Sequence, residues 1–272
     1  MLVGIILAVL AAAAVFGALW SRKLQVQRLE VAIPCLPPAL EGLRIVQVSD
    51  LHLPREVASV PELLSHVQRA KPDIIAITGD LVDKRSALDA AALQKVCQGL
   101  AALAPTYAVT GNHEWEGGWV KAVQAAYAEA GITLLDGRSA VFERQGAQLQ
   151  LLGLANAAAF HSRDFPGLRA DAPRVLLAHH PERLEDYAAP AHVLRPNLVL
   201  CGHAHGGQVC IPGTRQGLYA PHQGVFPRYC SGVYCLRDVT MVVSRGLGNS
   251  KCPVRLFDRI HLPVVELKRV ER

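Results

Sequence analysis

The sequence predicts an α/β fold in which two sheets pack face to face with helices outside, behind one N-terminal helix that crosses a membrane. Three observations carry this expectation. Met1 to Trp20 holds no charged residue and is dominated by Leu, Ile, Val and Ala; about 20 such residues span the hydrocarbon core of a bilayer. Across the 272 residues, hydrophobic side chains make up 51% and charged ones 19%, which is enough for a large core. Five short apolar runs, Leu43–Val48, Ile74–Ile77, Tyr107–Val109, Val175–Leu177 and Leu198–Leu200, each stop at turn residues. Such runs read as buried, parallel strands.

Residues 1–21 form the expected anchor. Trp20 sits where an interfacial aromatic belongs, and Arg22, Lys23 and Arg28 follow it. A cleavable signal peptide is the competing reading, with the Ala11–Ala14 run supplying small residues. It should carry a positive stretch before the apolar one, and none is present. The positive flank after the helix favours a single pass through the inner membrane, with residues 22–272 as one domain on the cytoplasmic side.

Residues 24–33 alternate polar and apolar and predict an edge strand closed by the Pro34–Pro38 region. Pro61–Ala70 is helical and stops at Lys71-Pro72-Asp73. Ser86 is an expected N-cap for a helix reaching about Leu103, ended by Pro105. Trp119–Ala130 makes another helix, with Gly131 at its C-cap. The resulting β-α-β-α-β-α order is that of a layered α/β fold. From Ile132 the texture changes. Ala140–Glu143 and Gln148–Leu154 predict a hairpin across Gln145-Gly146. Further strands are expected at Arg174, Asn197, Val239 and Pro263, with Pro181–Tyr187 as the best helix of this half. Cys210–Cys235, rich in Gly, Pro and Tyr, reads as a long functional loop forming part of a site wall.

The formal net charge is +5, and the basic residues are scattered with no aromatic-interleaved stripe. Nucleic-acid binding, and with it a nuclease, therefore has little support. Seven dispersed cysteines do not make a disulfide framework. They read as mostly buried thiols in a reducing compartment, with a Cys230–Cys235 bridge left open.

The ends of the five apolar runs carry the chemistry. They read Asp50-x-His52, Gly79-Asp80, Gly111-Asn112-His113-Glu114, His179-His180-Pro181 and Gly202-His203-x-His205. In α/β sheets the ligand lies at the carboxyl ends of the strands. Asp50/His52 and His203/His205 have i, i+2 spacing, which puts both members on one side of a strand. One histidine is more often a satisfied or solvent-facing residue than a ligand; it is the joint pattern that implies a metal site. Oxygen and nitrogen donors without thiolate suit Mn, Fe, Zn or Co, and the histidine content argues against a pure Mg or Ca site. Trp115 and Trp119 read as packing at the start of the next helix, ahead of flanking an acyl chain or base. Arg245, Lys251 and Arg255 read as surface residues, ahead of meeting a second phosphate. Gly206-Gly207 reads as a tight turn close to the metals.

In order and form, these blocks resemble the calcineurin-like metallophosphoesterase family from Leu43 to His205. Ile45-Val-Gln-Val-Ser-Asp-Leu-His, Gly202-His-Ala-His-Gly-Gly-Gln, and the tail Arg245-Gly-Leu-Gly-Asn-Ser with Pro253-Val-Arg255 are similar to its membrane-associated YkuE/LpxG-type branch. Where that branch commonly reads Arg-Pro-Glu-Ile, this chain has Asp258-Arg-Ile-His261. The resemblance implies a four-layer α/β/β/α sandwich and two divalent metal ions, manganese first, with iron or zinc next. Asp50, His52 and His205 would hold one ion, Asn112, His179 and His203 the other, and Asp80 would bridge them. In the His-x-Pro block the family's ligand is the first residue, so His179 is chosen over His180. His113 would be the catalytic histidine. Glu114 would either orient it or serve as a helix-start or surface carboxylate.

Two divalent ions against only two carboxylates leave a positive site that favours a phosphate ester or a pyrophosphate. The implied activity is hydrolysis of a phosphodiester or pyrophosphate bond. The anchor favours a lipid-linked or nucleotide-sugar substrate such as UDP-2,3-diacylglucosamine. Soluble phosphodiesters or phosphomonoesters are the alternative. A non-catalytic metal-binding scaffold would be expected to have lost a ligand or His113, and none is missing.

Overall fold

The computed structural model describes residues 1–272 except 157–164, 166–167, 170, 190–193, 215, 250–253 and 271–272. Helix α1 (Leu2–Ser21) is long and apolar enough to cross a membrane. Of its residues only Gly17 and Ser21 are buried, and its large Leu, Ile, Val and Phe side chains face outward. Its last turn is fastened to the body of the protein. The Phe257 ring lies over Gly17 so closely that a Cβ there would come within 2.9 Å of it. Ser21 Oγ donates to the Gly17 carbonyl (2.6 Å) and accepts the Asp258 N–H (3.0 Å). The Ile260 N–H reaches the Ser21 carbonyl at 3.1 Å, and the Arg259 guanidinium lies 5.4 Å from the centre of the Trp20 ring.

The first half of the body runs β1 (Gln25–Pro34), β2 (Arg44–Val48), α2 (Val60–Ala70), β3 (Ile74–Thr78), α3 (Ala90–Ala101) and β4 (Thr106–Val109). Then come α4 (Asn112–Glu116), α5 (Val120–Ala130) and β5 (Thr133–Leu134). The second half holds β6 (Arg138–Arg144), β7 (Ala147–Gly153), β8 (Arg174–Leu177), α6 (Leu184–Tyr187) and β9 (Leu198–Cys201). It closes with β10 (Tyr219–Ala220), β11 (Gly224–Val225), β12 (Gly232–Leu236), β13 (Val239–Val243) and β14 (His261–Val270).

These strands make two six-stranded sheets, ordered β1-β14-β2-β3-β4-β5 and β12-β13-β9-β8-β7-β6, beside a small β10-β11 ladder. The strands β2, β3 and β4 are mutually parallel, as are β7, β8, β9 and β13. β3 shows why apolar runs without alternation appear here: it is covered on both faces. Ile75 and Ile77 pack with Leu63, Val67, Leu93 and Val96 of the helices, whereas Ile74 and Ala76 join Val175, Leu177, Leu198 and Leu200 between the sheets. A third core on the far side of the second sheet joins Leu176, Val199 and Met241 to Leu184 and Tyr187. The layers are therefore α/β/β/α, with a thin fourth layer among the described residues.

Most expected elements are present, and the departures have local causes. Helix α3 begins after Asp89, whose carboxylate accepts the Ala92 N–H at 2.9 Å, and not after Ser86. The Ser86 N–H is instead bonded to the Asp83 carbonyl, in a turn. Within 210–235, β10, β11 and the start of β12 are too short to show a period. Cys97, Cys201, Cys210 and Cys230 are buried and Cys35 and Cys235 exposed, all six outside any disulfide, so the Cys230–Cys235 bridge does not form. Cys252 lies outside the described residues.

Ser21→Ala removes the acceptor for the Asp258 N–H and should lower stability by about 1–2 kcal/mol, the range for a buried hydrogen bond lost with its partner left behind. Denaturant unfolding of the full chain in detergent checks this; an unchanged midpoint would mean that the joint contributes nothing to the fold.

Candidate metal centre

Strand ends from both sheets meet at one edge. Asp50 and His52 follow β2, Asp80 follows β3, Asn112 opens α4 after β4, His179 follows β8, and His203 and His205 follow β9. All seven are buried, Asn112 being the most exposed at 7%. Asp50 and His52, and likewise His203 and His205, do share a direction, but the strand pleat is not the cause. β2 ends at Val48 and β9 at Cys201, and the four residues have φ of 52°, 54°, 67° and 49°. Asp80 is left-handed too, at 56°. Such backbone is uncommon outside glycine, costs energy, and gathers where a side chain must be aimed.

Cross-links between the loops hold these conformations. The Asp50 N–H donates to the Gly79 carbonyl (3.0 Å) and the His52 N–H to the Asp80 carbonyl (3.1 Å). The His203 N–H reaches Asp50 Oδ1 at 3.0 Å, tying one sheet to the other. At Gly202 a Cβ would fall 2.0 Å from Ser49 Oγ, so only glycine lets the two sheet ends close this far.

Asp80 lies at the middle. Its Oδ2 is 3.2 Å from His179 Nε2 and 3.9 Å from both His52 Nε2 and His113 Nε2. On one side, His52 Nε2 and His205 Nε2 are 3.1 Å apart, with Asp50 Oδ1 3.6 Å from the latter. On the other, His179 Nε2 lies 3.1 Å from His203 Nδ1 and 3.3 Å from Asn112 Oδ1. Asp50/His52/His205 and Asp80/His179/His203 thus form two groups that could each hold a metal ion, and Asp80 also groups with His52.

The donor chemistry fits such ions. His179 Nδ1 donates to the Thr78 carbonyl at 2.7 Å, which turns Nε2 inward, where a bound ion would take the place of its proton. Burial holds His203 and His205 well below their ordinary pKa and lowers His52 to about 3, so these rings offer lone pairs and not protons. Burial would raise Asp80, but His179, His113 and His52 outweigh it and hold the carboxyl well below its usual range. Burial would likewise lower His179; the Asp80 and Asp50 carboxylates outweigh that and raise it to about 10. Asp50 is pushed up to about 6 by burial, with Asp80 adding to the effect.

His113 is buried beside this group. Its Nδ1 accepts the Lys84 N–H at 3.2 Å and lies 3.4 Å from Asp83 Oδ1, which turns Nε2–H toward Asp80. Asp83 was not visible in the motif reading; its only signal was a second acid three residues after Asp80. Glu114 does not orient His113. Its carboxylate is fully buried and accepts three backbone N–H groups, Gly111 (2.8 Å), Asp80 (3.0 Å) and Val82 (3.3 Å). Burial and the Asp80 charge raise it to about 7 despite those bonds.

The weaker expectations resolve as follows. Arg255 is buried, not on the surface: it donates to Asp258 Oδ2 (2.9 Å) and to the Arg245 and Gly248 carbonyls (both 2.7 Å), and its Nη2 lies 3.2 Å from His205 Nδ1. Arg245 likewise turns inward, to Asp258 at 3.4 Å and the Arg259 carbonyl at 3.0 Å. Lys251 lies outside the described residues. Trp115 Nε1 donates to Thr110 Oγ1 (2.8 Å), and Trp119 packs on the helix-side core. Gly206 turns tightly, but against Asp258: a Cβ there would fall 2.2 Å from its Oδ1. The long loop after His205 does wall the site, through His222, whose Nδ1 lies 2.9 Å from His203 Nε2.

The sequence profile of the calcineurin-like phosphoesterase family matches residues 43–207. The chain is 31% identical over 231 residues to phosphodiesterase YaeI of Escherichia coli K12, covering 82% of each protein. It is 31% identical over 264 residues to a transmembrane protein with metallophosphoesterase domain of Danio rerio, covering 88% of this chain and 56% of that one. To the uncharacterised metallophosphoesterase YkuE of Bacillus subtilis it is 26% identical over 245 residues, covering 86% of this chain and 82% of that one. The matched span takes in all seven clustered side chains and His113, and on this ground the chain belongs to the calcineurin-like phosphoesterases, a family of metal-dependent phosphoester hydrolases.

Proposed function

We propose that the protein is a membrane-anchored dinuclear phosphoesterase that cleaves a phosphodiester or pyrophosphate bond in a lipid-linked or nucleotide-sugar substrate such as UDP-2,3-diacylglucosamine. The observation that carries the reading is the convergence of seven buried ligand-type side chains on Asp80 from five strand ends. Asp50, His52 and His205 would hold one divalent ion and Asn112, His179 and His203 the second, with Asp80 shared between them. Manganese is the proposed metal, with iron or zinc fitting the same donors. When bound, such ions supply an acidified water and a positive clamp for the oxygens of an in-line displacement.

The chain's own residues then do three things. His113 donates from Nε2 to the phosphoryl or leaving oxygen, with Nδ1 held by the Lys84 N–H. Glu114 clamps the Asp80 and Gly111 turns through three N–H groups, so the bridging carboxylate and Asn112 keep their places. Asn112 offers its amide oxygen, its Nδ2 donating to Glu116 Oε1 at 3.2 Å.

Two features support the lipid-linked part. Helix α1 exposes an apolar surface around nearly its whole length. Its end is bonded to Asp258, which holds Arg255 against His205, so the centre is tied to the anchor through three side chains. Arg22, Lys23 and Arg28 after α1 support a single pass through the inner membrane with residues 22–272 on the cytoplasmic side. The YaeI relative is named a phosphodiesterase, which supports a diester bond here.

Metal-stripped full-length protein given Mn²⁺, Zn²⁺, Fe²⁺ or Mg²⁺ should hydrolyse bis-p-nitrophenyl phosphate, and UDP-2,3-diacylglucosamine faster; Asp80→Ala should lose both activities. Turnover of the soluble diester alone would overturn the lipid-linked substrate. His113→Ala should lower kcat by about a hundred- to ten-thousand-fold, the contribution of a positioned proton donor, with metal content unchanged by mass spectrometry. Glu114→Ala leaves three buried N–H groups without an acceptor and should destabilise the metal-free protein by at least about 3 kcal/mol in denaturant unfolding.

A further inference from the structure

A second cluster of ligating side chains stands at the mouth of the centre. His180 and Glu182 lie just after β8, the latter in the 3₁₀ turn Pro181–Arg183, and His222 comes from the loop after β10. One ligating atom from each of these, and one from His203, lie within 4.8 Å of one another. We propose that His180, Glu182 and His222 form a third divalent-cation site, separate from the pair centred on Asp80 and suited to zinc.

The geometry of His180 carries the argument. Its Nε2 lies 2.5 Å from the Asn156 amide oxygen, an acceptor, so Nε2 bears the ring proton. Its Nδ1 then turns a lone pair toward Glu182 Oε1, 2.9 Å away. That contact is satisfied by a proton or by a metal ion, and the convergence of His222 and His203 on the same point favours the ion. An outer N–H fixed by an amide carbonyl, with the inner nitrogen turned to a carboxylate, is the arrangement of a ligating histidine.

The spacing agrees. Ligand atoms about 2.0–2.1 Å from a tetrahedral ion are about 3.3 Å from one another. Glu182 Oε1 is 2.9 Å from His180 Nδ1 and 3.4 Å from His222 Nδ1. Glu182 Oε2 is buried with no hydrogen-bond partner and is free to serve as a second donor. Two histidines and one glutamate make a zinc-type set that keeps a position open. The open side faces solvent, since the His222 side chain is 59% exposed. His203 closes the other side, its Nε2 2.9 Å from His222 Nδ1 while its Nδ1 faces His179. An ion here extends the positive field from the buried pair to the mouth, where a second phosphate oxygen would arrive; that consequence rests on the dinuclear reading, and the site itself does not.

Metal counting tests it. Full-length protein in detergent is equilibrated with low-micromolar Zn²⁺, freed of unbound metal and counted by inductively coupled plasma mass spectrometry. The expected result is three ions per chain in wild type and two in both His222→Ala and Glu182→Gln, with circular dichroism unchanged. Asp80→Asn should lose the pair and keep one. Two ions in the wild type, or three persisting in both mouth variants, overturns the third site. So does a His222→Ala protein that loses the ions of the pair, because His222 would then only prop His203. A single ion in wild type that His222→Ala removes would uphold the mouth site and overturn the dinuclear reading instead.

Discussion

Placing the Asp80 carboxylate, 1% exposed, between three imidazoles is the constraint on which the rest of the protein depends. A charge this deep is tolerated only when paired and hydrogen-bonded. The pairing comes from His179, 3.2 Å away, and the hydrogen bond from the His113 N–H at 2.8 Å, and those residues follow strands of two different sheets. The sheets must therefore pack with their carboxyl ends in register. Gly79, Gly111 and Gly202 are the price of that register: any side chain at these points would collide with the neighbouring loop or with the carboxylates themselves. The left-handed turns at Asp50, His52, Asp80, His203 and His205 lie beyond the strand ends and aim the donors into the gap between the two sheets.

Much of this was legible in the chain. Apolar runs without alternation gave away doubly covered strands such as β3 and β8, and polar residues at their ends marked the side of the sheet where chemistry occurs. Capping chemistry located α2 and α5 to within a residue. It failed at α3, where Ser86 and Asp89 are both good caps and only the turn around Asp83 decides between them. What could not be read was any role set by distance across the fold. The Lys84 N–H holds His113 from a neighbouring loop, with the Asp83 carboxylate 3.4 Å from the same ring nitrogen. Arg245 and Arg255 are hydrophilic side chains that became interior only because Asp258 was there to receive them. Glu114, read either as a partner for His113 or as a helix-start or surface carboxylate, is the helix-start one: it accepts the Gly111 N–H ahead of α4 and also reaches the Asp80 and Val82 amides.

The segment around Asp258, where the chain departs from its branch, has a specific structural task. Asp258 receives two arginines, its amide meets Ser21 of α1, and Arg255 lies against His205. Burial raises the Asp258 carboxyl to about 6 although both guanidinium groups oppose this. The joint therefore links α1 to the cluster at His205.

The order of strands in the first sheet has a consequence for biosynthesis. β14 lies between β1 and β2, parallel to one and antiparallel to the other, although it is made after every other strand of that sheet. Until it emerges, β1 has no neighbour among the described strands, and α1 lacks the Asp258 and Ile260 amides that fasten it. Closing so long a loop is entropically costly and slow. The nascent chain therefore carries its first strand without its sheet partner until the last strand has been made.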